Sequence, residues 1–200
     1  IGRLALDFGV LSAANPANRL ETLIANPRAV HRERVLFTLD SLPSLAKNGD
    51  SPKFVYAHLI FPHPPFVLDA DGNPVENTPA DELKAYADQI TYLDSRLIEI
   101  VNQMISDSAV PPVIILQGDH GVTIDYAAQD IDKADRLAIL NAYFLPGLPA
   151  GSLYPTISPV NTFRLVLDQY FQAGLPLLED HSIIGRQSPF TQLPCPIPSK

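Results

Sequence analysis

The stretch Pro111-Pro112-Val113-Ile114-Ile115-Leu116-Gln117-Gly118-Asp119-His120-Gly121 constrains the fold more than any other part of the chain. Val113 to Leu116 is short, apolar and largely β-branched, with turn residues on both sides. That is the pattern of a strand buried on both faces. Gly118 and Gly121 bracket an Asp-His pair where the strand ends. Open α/β sheets bind ligands outside the carboxyl ends of their strands. Adjacent Asp119 and His120, one carboxylate and one imidazole, can supply two ligands to one transition metal. The plainer reading is a turn with a capping Asp119 and a surface His120. Its place after a buried strand favours function.

A second such run, Phe54 to Phe61, also reads as a buried strand and ends in Pro62-His63-Pro64-Pro65-Phe66. The flanking prolines restrain the backbone at His63. His58, inside the run, reads as a satisfied core histidine or a group supporting a ligand from behind, rather than as a direct ligand. If this strand and Val113–Leu116 lie side by side and parallel, both chains leave the sheet at one edge. His63, Asp119 and His120 then overhang one crevice.

Helix signals lie between and around these runs. Asn26 can cap a helix whose first position is Pro27, running to about Leu42 and stopped by Pro43. Val30, Arg34 and Phe37 would share its packed stripe, with Arg32 and Glu33 turned outward and His31 solvated. Asp71-Gly72-Asn73-Pro74 is turn chemistry; Asp69 and Asp71 could be metal ligands, but acidic loop residues are usually just solvated. Thr78 caps the strongest helix, with Pro79 at its first position and Asp81 and Glu82 at its positive end. Leu83, Tyr86, Ala87, Ile90, Leu93, Leu97, Val101 and Met104 recur at helical spacing. That helix should pack flat on the sheet as a right-handed crossover between the two parallel strands.

Further along, the acidic stretch to Asp135, with Asp125, Asp130 and Asp132, reads as a loop or short helix beside the site. Leu137 to Leu145 is another strand candidate. Ser158-Pro159 opens a helix from Val160 to Phe171 with Phe163, Leu167, Tyr170 and Phe171 on its apolar side and Gly174 as its C-cap. At the start of the chain Leu4, Leu6, Phe8 and Val10 alternate, and Asn18 to Ile24 suits a short helix. The reading divides the chain into a partial α/β domain over 1–175 and a Pro-rich tail over 176–200.

The formal net charge of −8, with no long basic run, argues against nucleic acid or an anionic membrane as the main partner. Cys195 is the single cysteine, so no internal disulfide can form. No Gly-x-Ser-x-Gly elbow, Walker loop or dinucleotide fingerprint is present.

Strand plus Pro62-His63-Pro64, a helix carrying Tyr92-Leu93-Asp94, and a strand ending Gly118-Asp119-His120-Gly121 form an ordered set. Over roughly Lys53 to Phe171 it resembles the C-terminal part of the catalytic domain in the sulfatase and alkaline-phosphatase superfamily. It is most similar to the membrane-anchored branch with lipoteichoic acid synthases and phosphoethanolamine transferases. The resemblance implies an α/β/α sandwich with a largely parallel or mixed sheet, of which this chain is an incomplete, C-terminal portion. It implies metal-ligand roles for Asp119 and His120. His63 would contact the metal or the transferred group. The divalent metal would be Zn or Mn rather than Ca, whose ligands are usually all oxygen. The substrate would be a phosphate or sulfate ester, and the setting the extracytoplasmic part of a membrane-anchored bacterial protein.

The match departs from the family in one respect. The nucleophile and a further acidic ligand come from an N-terminal segment in the family, and no matching segment precedes Phe54. Cys195-Pro196-Ile197-Pro198-Ser199 is not the sulfatase Cys-x-Pro-x-Arg motif, because its Pro is one place late and the Arg is missing. The chain is therefore expected to be inactive alone and to need the N-terminal half of its domain. Exposed apolar surface at the missing contact could support a homo-oligomer, and the isolated chain could hold no metal. The competing reading is a catalytically inert, sulfatase-like binding or interaction module.

Overall fold

The computed structural model describes residues 26–46, 52–122, 133–184 and 191–194. The readings made for Leu4–Val10, Asn18–Ile24, Asp125, Asp130, Asp132 and Cys195 lie outside the described residues. The fold contains both helices and strands, in two compact units that divide between Pro112 and Val113. Among the described residues no helix is long and apolar enough to cross a membrane.

The first unit is built on two helices, α1 (Pro27–Leu45) and α2 (Glu82–Asp107). Asn26 starts α1 as its residue type dictates: its side chain accepts the Ala29 amide at 3.0 Å, and Pro27 follows. The helix does not stop at Pro43 but carries it in its last turn. A proline there costs one intrahelical bond near an end already short of partners. α2 begins three residues later than the Thr78-Pro79 signal suggests. Asp81 is its cap, accepting the Lys84 amide at 2.9 Å.

The two helices pack against each other and on the segment between them. Val35 and Leu39 of α1, Phe61, Val67 and Leu68 of the connecting segment, and Ile100 of α2 form the buried core. Leu36, Leu42, Leu59, Tyr92, Leu93, Leu97 and Met104 pack around it. The buried stripe of α1 is thus not the Val30–Arg34–Phe37 stripe read from the sequence, since Phe37 is exposed. Arg28, Arg32, Val35 and Leu39 line up instead. Arg28 donates to the carbonyl oxygens of Phe66, Val75 and Asn77. Arg32, expected to point outward, pairs with Glu76 at 3.1 Å.

The turn after this segment follows its sequence. The Asp69 carboxylate accepts the Asp71 and Asn73 amides at 3.0 and 2.8 Å, and Gly72 takes a φ of +84°. The ring of Tyr92 would lie 2.6 Å from a Cβ at Gly72, a second reason for glycine there.

Two expectations for this unit are overturned. Residues 54–60 form no strand and pair with nothing in a ladder. The run stays exposed, with Phe54 61%, Tyr56 67% and Ile60 57% accessible, and only Leu59 turns toward the core. An apolar, β-branched run is competent to be a strand, but a strand exists only where another supplies the facing N–H and C=O groups. The expected parallel pair with the later strand is therefore not formed, and α2 packs on α1 rather than on a sheet. His58 is exposed and stacks on Tyr56 instead of lying in a core.

In the second unit the central apolar run does become a strand, β1 (Ile114–Gln117). It is buried only at Ile114, with Ile115 and Leu116 half-buried and Gln117 exposed. Its partner is β2 (Asn141–Phe144), antiparallel, with Ile114 opposite Phe144 and Gln117 opposite Asn141. Between them lies the short α3 (Lys133–Leu137), so the strand read as Leu137–Leu145 occupies only its second half. α4 (Pro159–Phe171) follows Ser158 as its sequence signals indicate. Its buried residues are Asn161, Thr162 and Val166, whereas the aromatic side read from the sequence, including Phe163 and Phe171, is exposed. Its left-handed C-cap is Gln172 (φ 53°), two residues before Gly174. The Pro-rich region contains the antiparallel pair β3 (His181–Ile184) and β4 (Thr191–Pro194).

Candidate functional site

β1 delivers the chain directly into Gly118-Asp119-His120-Gly121, and backbone bonds hold this turn at both ends. The Gly118 amide donates to Leu140 O at 2.9 Å, and the Gly121 amide donates to Arg136 O at 2.7 Å. A Cβ on Gly121 would collide with Asp135 O and lie 2.7 Å from Ala138 O. Glycine is required there because another backbone passes where a side chain would start.

Within the turn, the Asp119 carboxylate accepts the His120 amide at 2.9 Å through Oδ1. His120 Nδ1 lies 2.9 Å from Gly121 O. A carbonyl only accepts, so in this contact Nδ1 carries the hydrogen and the neutral ring keeps its lone pair on Nε2. That nitrogen lies 3.5 Å from Asp119 Oδ2. Two donors each about 2 Å from a tetrahedral ion stand about 3.3 Å apart. The pair therefore has nearly the bite of one small divalent cation, and an Nδ1–H held by a backbone carbonyl is how ligating histidines are usually oriented. Asp119 is largely exposed and His120 about one-third exposed, so an incoming ion or substrate can reach both. Among the described residues no group of three or more His, Cys, Asp or Glu side chains is arranged to hold a metal ion.

His63 belongs to the first unit, and its surroundings are described within that unit. It is exposed, and its Nδ1 lies 2.6 Å from Pro64 O, so by the same argument Nε2 presents the lone pair. The loop that carries it is tied down by Gln89 of α2, which is fully buried. Gln89 Oε1 accepts the Val67 and Leu68 amides at 2.7 and 3.3 Å, and its Nε2 donates to Pro62 O at 3.0 Å. Sequence reading missed Gln89 because a lone polar residue between apolar repeats reads as solvent-facing.

It also missed His31. Expected to be solvated, this side chain is half-buried, and its Nε2 is shut from solvent with no hydrogen-bond partner. Its pKa is lowered, first by burial, then by the Arg34 guanidinium and by His63. The structure sets the Asp119 carboxylate against the His120 ring at the end of β1, while His63 is held by the loop that Gln89 clamps in the first unit.

No protein-family model matches this chain, and no curated protein or solved structure matches it either.

Proposed function

We propose that this chain is the C-terminal part of a sulfatase-like, metal-dependent hydrolase or transferase acting on phosphate or sulfate esters. The observation that carries the reading is the Asp119–His120 pair at the end of β1, with donor atoms 3.5 Å apart and the His120 ring oriented to offer Nε2. These residues fit Zn or Mn. When bound, the ion supplies positive charge against the oxygens of the transferring group and lowers the pKa of the nucleophile. Asp119 and His120 would hold it, and the catalytic role proposed for His63, in the first unit, is contact with the transferred group.

In the complete protein an N-terminal half provides the nucleophile and further ligands. Catalytic zinc sites normally use about three protein ligands. That half also completes an α/β/α sandwich in which residues 54–60 gain neighbours and become a strand. Their exposed, apolar, unpaired state supports this. The setting proposed for the parent protein is extracytoplasmic and membrane-anchored.

The test is titration of the full chain with Mn²⁺, read by NMR line broadening. Selective broadening of residues 118–121, lost in both Asp119→Ala and His120→Ala, is the expected result. Uniform broadening, or broadening that survives both substitutions, overturns the metal role.

One observation favours a second reading, a catalytically inert binding module. No set of three metal-competent side chains assembles among the described residues. Phosphate or sulfate ester turnover after addition of the N-terminal half excludes that reading.

A further inference from the structure

The first turn of α4 is capped from a distance. Ser158 does not close it with its own side chain. Asp180, 22 residues further on, brings a carboxylate there instead. Its Oδ1 accepts the Ser158 amide at 2.7 Å and the Asn161 carboxamide at 2.8 Å, and its Oδ2 accepts the Tyr154 hydroxyl. Donors converging at a helix N-terminus make an anion site, and here a carboxylate of the chain itself fills it.

One donor is left over. Ser158 is 5% exposed, and its hydroxyl oxygen is shut from solvent with no hydrogen-bond partner. The hydroxyl faces Asp180 closely enough to help hold its pKa down, yet neither carboxylate oxygen completes a bond with it. A buried, unpaired hydroxyl calls for a reason. The two oxygens of a carboxylate lie in one plane with their carbon. A tetrahedral oxyanion carries a third oxygen out of that plane. It can accept the Ser158 O–H while two others repeat the bonds made by Asp180.

The carboxylate arrives on a strap, residues 174–180, that runs back along α4. Asp168 accepts the Gly174 amide at 2.8 Å, and Arg164 donates to Pro176 O at 2.7 Å. Asn161 exchanges two bonds with the Leu178 backbone, at 2.8 and 2.9 Å. No side chain of the strap is buried, and Leu177 and Leu178 are 47% and 49% exposed. Lifting it costs polar contacts that water can replace and little apolar burial.

We propose that the first turn of α4, with Tyr154, Ser158 and Asn161, is a subsite for a tetrahedral oxyanion, a phosphate or sulfate group, which Asp180 occupies as a tethered competitor. The strap is the lid of this subsite, and anion binding exchanges it outward. The subsite makes no use of the Asp119–His120 pair, so its test leaves the metal reading untouched.

The full chain and its Asp180→Ala variant are titrated with inorganic phosphate, with chloride at equal ionic strength as the control. The readout is the NMR signals of the Ser158 amide and the Asn161 carboxamide. Saturable shifts at both are expected in Asp180→Ala. Affinity should exceed the parent's by about tenfold or more, because a tethered group competes at an effective concentration of roughly millimolar. Adding Ser158→Ala should weaken phosphate about tenfold, the scale of one charge-assisted bond, and leave acetate unchanged, since acetate only repeats the bonds of Asp180. Methyl phosphate binding as tightly as phosphate assigns the subsite to monoester groups, and phosphate binding alone assigns it to the free ion. Arg164→Ala keeps Asp180 but removes a tie of the strap, so phosphate affinity should rise severalfold although a cation is lost. That variant keeps the test decisive if Asp180→Ala unfolds. Equal affinity in the parent and the variants, shifts that miss Ser158 and Asn161, or phosphate binding indifferent to Ser158→Ala would each overturn the subsite.

Discussion

Gln89→Leu is the sharpest test of how the His63 loop is held. The substitution nearly conserves volume but removes both the acceptor for the Val67 and Leu68 amides and the donor to Pro62 O. Val67 and Leu68 are 0% and 1% exposed, so water cannot replace the lost acceptor without opening the core. A buried donor left unpaired costs about 1–3 kcal/mol. The 2.7 Å bond to Val67 should contribute within that range, and the longer bond to Leu68 about 1 kcal/mol, near its lower end. Pro62 is half-buried and its carbonyl can take a water, so its loss adds little. The added apolar burial of leucine returns roughly 1 kcal/mol. The net is a destabilisation of about 2 kcal/mol. At a urea dependence of about 2 kcal/mol per molar, the midpoint of the first unit falls by about 1 M. Urea unfolding followed by tyrosine fluorescence measures this, and hydrogen exchange at the Val67 and Leu68 amides should accelerate together. Gln103→Leu, on the exposed side of the same helix, is the control and should change stability by less than about 0.5 kcal/mol. An unshifted midpoint with unchanged exchange at both amides would refute the clamp.

Three further outcomes are expected. Gly121→Ala should displace the Asp119–His120 turn, because its Cβ meets backbone oxygens of Asp135 and Ala138 that no rotamer change can move. The amide shifts of residues 118–121 should change and Mn²⁺ broadening should be lost, and an unperturbed turn would show the close approach to be misread. Asp180 ties α4 to the following segment. Burial pushes its carboxyl up, but hydrogen bonds from Ser158, Tyr154 and Asn161 outweigh this and leave its pKa lowered. Its stabilising contribution is therefore complete above the unfolded-state value of about 3.9 and fades as pH falls through the lower folded value. Asp180→Asn should flatten the acid limb of the second unit's stability curve, and an unchanged limb argues against the latch. Finally, Tyr56→Lys with Ile60→Lys should lower any self-association seen by light scattering, since both side chains are exposed in an unpaired run. Equal mass distributions for parent and variant would show that this run is not the contact.

The division between what was legible in the chain and what was not follows the range of the forces involved. Asn26 capping Ala29, the Asp69 turn closed by Gly72 and the Ser158-Pro159 helix start are settled within a few residues. Each depends on a side chain reaching its own neighbouring amides or on the φ its residue prefers, so the sequence alone determines it. The tertiary structure decided which faces those elements bury and what they pair with. Apolar residues lie on every side of α1, so the stripe through Val35 and Leu39 is chosen by Phe61, Val67 and Leu68, which are distant in sequence. Phe54–Ile60 carries the residues of a strand yet forms none, while β1 takes β2 antiparallel, because a ladder needs a facing backbone that composition does not supply. Gln89 and His31 belong to this second class. A polar side chain is stable inside only when remote backbone groups or neighbours surround it, and those partners come into reach only as the chain closes on itself.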